Sequence, residues 1–339
     1  MKTKGIVFPK AYRAELVEIE CPAPAADEIT MEMEYSAISA GTEKANFIGE
    51  RASIFVTEGT EAVFPRRVGY SSAGIVRAVG ENVKEFEVGD RIVVYGSVHQ
   101  KHLNISAKMA VKLPDGVSTR EASFGYISLF PLAAVRKTRV ELGESALVMG
   151  LGALGIFAVQ HLRAAGAYPI VAVDPIESRR NFALKMGADY SVDPCDKDFV
   201  ERVKELTEGG ANVCIEVTGR GEGLIQALDC MKRMGRIALL GCTRDSNFSI
   251  DYYSKVHGNG VSLIGAHTLT RPKVESYPAH WTHIDDLKAT VALIKGGRLN
   301  FKDMICEYVS PVDCQKVFDR VVNDKDFPIG VLFDWSLVE

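Results

Sequence analysis

The chain has 339 residues, 47% of them hydrophobic, and sets 40 Lys plus Arg against 44 Asp plus Glu for a net charge of −4. That length and apolar content suffice for two buried cores. The near balance of charge points to no nucleic-acid partner and no acidic tail, and no apolar run is long enough to span a bilayer.

The seven cysteines, at 21, 195, 214, 230, 242, 306 and 314, form no CxxC pair. Neither a disulfide framework nor a zinc ribbon fits that spacing, so reduced thiols are expected. Met1 to Gly5 leads straight into an alternating segment without an apolar signal core, so the expectation is a soluble, cytoplasmic protein with no membrane partner.

In chain order, the first third reads as β-rich. Alternating runs at 5–8, 28–35, 73–79 and 91–95 are punctuated by Gly, Pro and Asp, and Val88-Gly89-Asp90-Arg91 is a turn that feeds a strand. From about Thr119 apolar strands alternate with helical stretches, the pattern of a parallel sheet covered on both faces. Strands are expected at 145–149, 169–174, 212–217, 236–240 and 261–266, with helices at 153–165, 178–186 and 221–234. After about Leu269 a helix over 284–295 stops at Gly296-Gly297; a strand, a helix over 312–323 and a strand over 329–335 follow. The fold class is therefore α/β: a doubly wound parallel-sheet domain at 119–268, inserted between two pieces of a β-rich domain at 1–118 and 269–339. The site is expected in the cleft between them. Strand 261–266 would form the sheet edge, and pairing it across a two-fold axis makes a homodimer the expected assembly.

The chemistry is clearest at Gly150-Leu151-Gly152-Ala153-Leu154-Gly155, which directly follows one strand and opens a helix. Gly150 permits the tight turn, Gly152 lets the backbone approach a diphosphate, and Gly155 lets the helix close on the strand. The helix start supplies free N–H groups and partial positive charge. The next strand ends at Asp174, 19 residues after Gly155, near the spacing of an acid that holds the adenosine ribose. These residues predict NAD(H), and Asp174 disfavours NADP(H) by repelling a 2′-phosphate. Arg179 and Arg180 are read as solvated, or, for Arg179, as packing beside the adenosine.

The chain resembles the medium-chain dehydrogenase/reductase superfamily, the zinc alcohol dehydrogenase-like fold. The likeness rests on Val68-Gly69-Tyr70-Ser71-Ser72-Ala73-Gly74-Ile75-Val76, Val79-Gly80, Val88-Gly89-Asp90-Arg91-Ile92, the glycine turn with Asp174, and Gly235-Arg236-Ile237-Ala238-Leu239-Leu240-Gly241. It implies a GroES-like catalytic domain and a Rossmann domain. Zinc-dependent members carry a cysteine motif near position 40 and Gly-His-Glu near position 70. Here Ser39 stands where the cysteine would, Tyr70 and Ser71 replace His-Glu, no Cys, His or Asp stands near Phe124-Gly125-Tyr126, and no cysteine follows Asp90-Arg91. Zinc needs thiolate, imidazole or carboxylate donors, so neither a catalytic nor a structural zinc is expected. The pattern Ser36-x-x-Ser39-x-Gly41-Thr42-Glu43 with Val68-Gly69-Tyr70-Ser71 resembles a zinc-free branch that includes the bacteriochlorophyllide hydroxyethyl dehydrogenases.

In a zinc-free site a hydrogen-bond donor must handle the reacting oxygen. Tyr70 is the leading candidate for the proton donor, with a wall residue as the rival reading. Thr42 matches the family's proton-relaying hydroxyl, or caps a helix beginning near Glu43. The resemblance puts Glu43 behind the metal site. His99 follows the Tyr95-Gly96-Ser97 loop at a position facing the cleft in relatives, where it would touch substrate or relay protons, with a structural histidine as the rival reading, and His102 would point to the opposite face. Thr218, Gly219 and Gly241-Cys242-Thr243 leave strands at the ligand-binding edge, near the nicotinamide. Arg66, Arg67 and Arg271 are anion anchors or solvated charges; His280 and His283 read as surface residues. The expected activity is hydride transfer between nicotinamide and a small-molecule secondary alcohol or carbonyl. Enoyl or quinone reduction on the same fold, and a non-catalytic NAD(H) sensor, are the alternatives.

Overall fold

The computed structural model describes residues 1–50, 63–242 and 247–338. It divides into two compact units, 1–127 with 301–339 and 128–300.

In the first unit, β1 (Lys2–Lys10) and β2 (Arg13–Glu20) form a hairpin, β3 (Glu28–Ala37) follows, and α1 (Ala40–Phe47) leaves its end. Then come β4 (Arg66–Arg67), β5 (Ser71–Val79), β6 (Arg91–Tyr95), β7 (His102–Ser106), β8 (Ala110–Lys112) and the short α2 (Thr119–Ala122). Strand β3 organises the unit by pairing antiparallel with β5 and β7. Phe8 and Phe318 meet edge to face at 4.7 Å, and Phe47 stacks on Phe318. That buried aromatic group clamps α1 against the sheet, and so fixes Ser39 to Glu43 at the end of β3.

The second unit is a parallel sheet. α3 (Gly125–Thr138) leads into β9 (Ala146–Met149), α4 (Ala153–Ala165), β10 (Ile170–Val173), α5 (Glu177–Lys185), β11 (Tyr190–Val192), α6 (Phe199–Leu206), β12 (Ala211–Glu216), α7 (Gly221–Asp229), β13 (Met231–Leu239), β14 (Ser262–Gly265) and α8 (His283–Lys295). Among the described residues the strand order is β11-β10-β9-β12-β13-β14. Strands β9 and β10 are buried on both faces, as their unbroken apolar runs require. The order reverses between β9 and β12, and ligands gather at such a switch point, beyond the carboxyl ends of the strands. The chain then returns to the first unit as β15 (Glu307–Val309), α9 (Cys314–Asn323) and β16 (Val331–Asp334), the last pairing antiparallel with β3.

The units divide at 127/128 and 300/301, not at 118/119 and 268/269. The Thr119 hydroxyl donates to Glu34 at 2.6 Å and Ser71 donates to the Ser123 carbonyl at 2.6 Å, which ties α2 to β3 and β5. Asp286 of α8 pairs with Arg136 at 2.7 Å and Arg271 at 2.8 Å, which keeps α8 with the parallel sheet. Arg271 is therefore buried, and neither an anchor nor solvated. The helix expected over 221–234 stops at Asp229, because Met231 already begins β13. No helix among the described residues is long and apolar enough to cross a membrane.

Candidate active site

The glycine turn joins β9 to α4. Gly150 adopts φ +94°, and a Cβ on Gly155 would lie 1.9 Å from the Gly150 carbonyl oxygen, so any side chain there would push helix and strand apart. Gly152 is the N-cap of α4 and has no side-chain capping bond; a Cβ there would meet nothing within 4 Å. The first-turn N–H groups from Gly152, Ala153 and Leu154 have no carbonyl four residues back within the helix. Free amides, helix polarity and open space fit a diphosphate.

Asp174 lies just beyond β10, 4% exposed. Its carboxylate accepts the Leu151 N–H at 2.9 Å and the Ile176 N–H at 2.9 Å, so the acid is tied directly to the glycine turn. A carboxylate can accept further bonds, so capacity for a sugar hydroxyl remains. Arg179 stands 3.8 Å from Asp174. Arg180 is not solvated: it donates to the Asp174 carbonyl at 2.7 Å and pairs with Asp193 at 2.9 Å.

The neighbouring strand ends carry a residue that sequence reasoning missed. Glu216 closes β12, 2% exposed, and accepts the Thr218 N–H at 2.8 Å, the Thr218 hydroxyl and the Gly219 N–H at 3.3 Å. Burial pushes its carboxyl pKa up, with the three donors opposing. Glu216 thereby shapes the Thr218-Gly219 turn, and a Cβ on Gly241 would fall 2.3 Å from the Gly219 nitrogen. Thr218, Gly219 and Gly241 are thus brought together at the same sheet edge as the glycine turn; Thr243 lies outside the described residues. A charged residue ending an apolar strand, just before Thr-Gly, was the available signal.

The second group of candidates lies in the first unit. Helix α1 begins at Ala40, with Ser39 as its N-cap, so Thr42 sits inside the first turn and caps nothing. Tyr70 precedes β5. Its ring meets Tyr126 edge on at 5.6 Å, and its hydroxyl is buried near the Ser39 and Thr42 side chains, which work to lower its pKa against burial. Burial raises that phenol's pKa, so it is held protonated. Tyr70 and Thr42 are therefore brought together.

His99 is 1% exposed and faces no open surface, contrary to the position expected for it. Its Nδ1 meets the Ser36 hydroxyl at 2.8 Å and its Nε2 meets Glu43 Oε2 at 3.0 Å. Glu43, 1% exposed, also accepts the Ser39 N–H at 3.0 Å, and the Trp335 indole donates to Ser36 at 2.9 Å. His102, by contrast, is engaged with Thr3 at 3.2 Å. Arg66 donates to Asn46 at 3.0 Å and Arg67 to Gln100. His283 is the first residue of α8, and the His280 ring packs tilted against Tyr277 at 5.0 Å.

Hydroxyl oxygens are poor zinc donors beside thiolate, imidazole or carboxylate. The hydroxyls of Ser39, Tyr70 and Ser71 stand where the resemblance places metal donors, and Ser71 is already committed: it donates to Ser123 and accepts the Ile127 N–H at 3.2 Å. Among the described residues no cluster of three His, Cys, Asp or Glu could hold a metal.

Residues 153–284, all within the second unit, match the family described as zinc-binding dehydrogenase. The chain is 27% identical to a D-guloside 3-dehydrogenase of Shigella flexneri, over 97% of this chain and all of that protein. It is 28% identical to an L-threonine 3-dehydrogenase of Pyrococcus furiosus, over 90% of this chain and 89% of that one. In fold it is similar to the solved 2R,3R-butanediol dehydrogenase of Bacillus subtilis, with a TM-score of 0.82 at 22% identity over 98% of this chain and 99% of that one.

Proposed function

We propose that the chain belongs to the medium-chain dehydrogenase/reductase superfamily, whose members are alcohol dehydrogenase-like oxidoreductases that use NAD or NADP, and that it is an NAD(H)-dependent, zinc-independent dehydrogenase of secondary alcohols. The observation that carries the zinc-free part is the replacement of metal donors by the hydroxyl cluster of Ser39, Thr42 and Tyr70. The preference for NAD rests on Asp174, whose carboxylate stands at the end of β10, against the glycine turn.

When bound, the nicotinamide supplies hydride acceptance. The amides of Gly152, Ala153 and Leu154 would hold the diphosphate, Asp174 would accept a hydrogen bond from a ribose hydroxyl, Arg179 would pack beside the adenosine, and the turn carrying Thr218, Gly219 and Gly241 would border the nicotinamide end. Oxidising an alcohol releases the hydroxyl proton, which the Thr42 hydroxyl would pass to solvent water, and reduction would return it by the same route. Because the Tyr70 hydroxyl is buried while Thr42 is partly exposed, Thr42 would meet the substrate oxygen, and Tyr70 would stand behind it. A phenol kept protonated acts as a donor to oxygen that gains negative charge.

The named relatives suggest a substrate class. A guloside oxidised at carbon 3, threonine oxidised at carbon 3 and 2,3-butanediol are all secondary alcohols whose neighbouring carbon carries another heteroatom. A small polyhydroxylated compound of that kind is the proposed substrate. β14 stands at the edge of the parallel sheet with Leu263 38% exposed, and it is the proposed contact in a homodimer.

The test is titration of the protein with NAD and NADP by calorimetry, followed by a screen of vicinally substituted secondary alcohols for growth of the reduced nicotinamide absorbance. Tighter binding of NAD and turnover of at least one polyol support the reading. Coenzyme binding without oxidation of any alcohol would leave a sensor in its place.

A further inference from the structure

The first unit holds a closed chain of buried polar groups that the proposed hydride transfer does not use directly. The Trp335 indole N–H donates to the Ser36 oxygen, Ser36 meets His99 Nδ1 at 2.8 Å, and His99 Nε2 meets Glu43 Oε2 at 3.0 Å. The other Glu43 oxygen accepts the Ser39 N–H at 3.0 Å. One arrangement of protons satisfies the whole chain: indole to serine oxygen, serine hydroxyl to Nδ1, and Nε2–H to carboxylate. All these bonds then run towards Glu43, which receives two N–H groups and carries the negative charge.

The chain also seats both backbone segments that carry the hydroxyl cluster. Through Ser39 it fixes the start of α1, where Thr42 lies. On the other side, the His99 N–H donates to the Val68 carbonyl at 2.7 Å. Gly69, at φ +89°, lies flat on the imidazole; a Cβ there would fall 2.6 Å from His99 Cγ. The next residue is Tyr70. The imidazole is therefore a spacer between the backbone of Tyr70 and the helix that bears Thr42.

We infer that Glu43 and His99 are positioning residues for this active site, a buried carboxylate–imidazole pair that sets the distance between the Tyr70 phenol and the Ser39 and Thr42 hydroxyls. The pair touches neither substrate nor coenzyme. Both ring nitrogens of His99 are engaged within the protein, so it opens no path to solvent. The carboxylate also adds negative charge near the Tyr70 phenol and supports its protonated form. The inference rests on the hydroxyl cluster being the site of proton handling.

The experiment compares His99→Asn and the milder Glu43→Gln with the parent protein, alone and combined with Tyr70→Phe. Displacing a reacting group by about 1 Å costs on the order of 100-fold in rate, so His99→Asn is expected to lower kcat by that factor, and Glu43→Gln by less. KM and the Kd for NAD should stay near the parental values. Each change should lower kcat by less once Tyr70 is Phe, because both act in large part through it. The 13Cζ resonance of Tyr70 should also move in both single variants. Fully additive losses, or a fall in Tm with kcat and the Tyr70 resonance unmoved, would make the pair an ordinary buried contact and overturn the inference. The resonance reads the positioning without turnover: if the parent oxidises no alcohol yet the Tyr70 signal responds, the proposed reaction fails and the positioning stands.

Discussion

The two units build their sites from different materials. In the parallel-sheet unit the proposed coenzyme site is mostly backbone, since Gly150, Gly152 and Gly155 matter for what they lack and the amides of α4 would do the binding. In the β-rich unit the proposed site is made of side chains: three hydroxyls, with a carboxylate and an imidazole buried behind them. A backbone site tolerates little change at its glycines and much at its apolar neighbours. A side-chain site depends on partners far apart in the chain.

The comparison breaks most visibly at the glycine turn. Gly155→Ala puts a Cβ within 1.9 Å of the Gly150 carbonyl. We expect NAD affinity to drop by on the order of 100-fold by calorimetry, as the turn opens and the amides lose their aim. In the other unit, Tyr70→Phe should lower kcat by about 100-fold with the coenzyme Kd unchanged, the lower end of what one proton-transfer group contributes. A rate within a factor of two of the parent's would return Tyr70 to the role of wall residue.

Acid sharpens the contrast differently. His161, buried in α4 and meeting the Ser128 carbonyl at 3.0 Å, has its pKa pushed down to about 4 from 6.5 by burial. The unfolded chain then binds the proton more readily than the folded one. Stability is full above pH 6.5 and falls as pH drops towards 4, by roughly 3 kcal/mol at one pK unit per 1.36 kcal/mol. Thermal unfolding across that window, repeated with His161→Gln, checks it: the parent's Tm should fall more steeply. The smallest effect is expected at Asp174. Asp174→Ser should weaken NAD about tenfold, one charged hydrogen bond's worth, and narrow its advantage over NADP. An unchanged ratio of the two affinities would remove Asp174 as the discriminating acid.

The difference in materials also governs what could be read in the sequence. The glycine turn, Asp174 and helix α4 are local: a strand, a fixed spacing and a helix start lie within some thirty residues, and the structure brings them together. The Glu43–His99 contact spans 56 positions and Ser36–Trp335 spans 299. No spacing rule reaches that far, so the sequence cannot tell a structural His99 from one that lines the cleft, and the structure buries it. Helix α3 was missed because it opens on Gly125 and carries Pro131 inside, both breakers in isolation that packing overrides. β11 has three residues, too few for a period to show. Glu216 went unnoticed because its partners, Thr218 and Gly219, acquire meaning only once the sheet edge exists.

The central claim is that hydroxyls, not a metal, handle the reacting oxygen. It is tested most directly by assaying the protein with NAD and a vicinally substituted secondary alcohol before and after exhaustive chelation. The account predicts the same kcat in both, and no gain on adding zinc. Loss of turnover on chelation, with recovery on return of zinc alone, would contradict it.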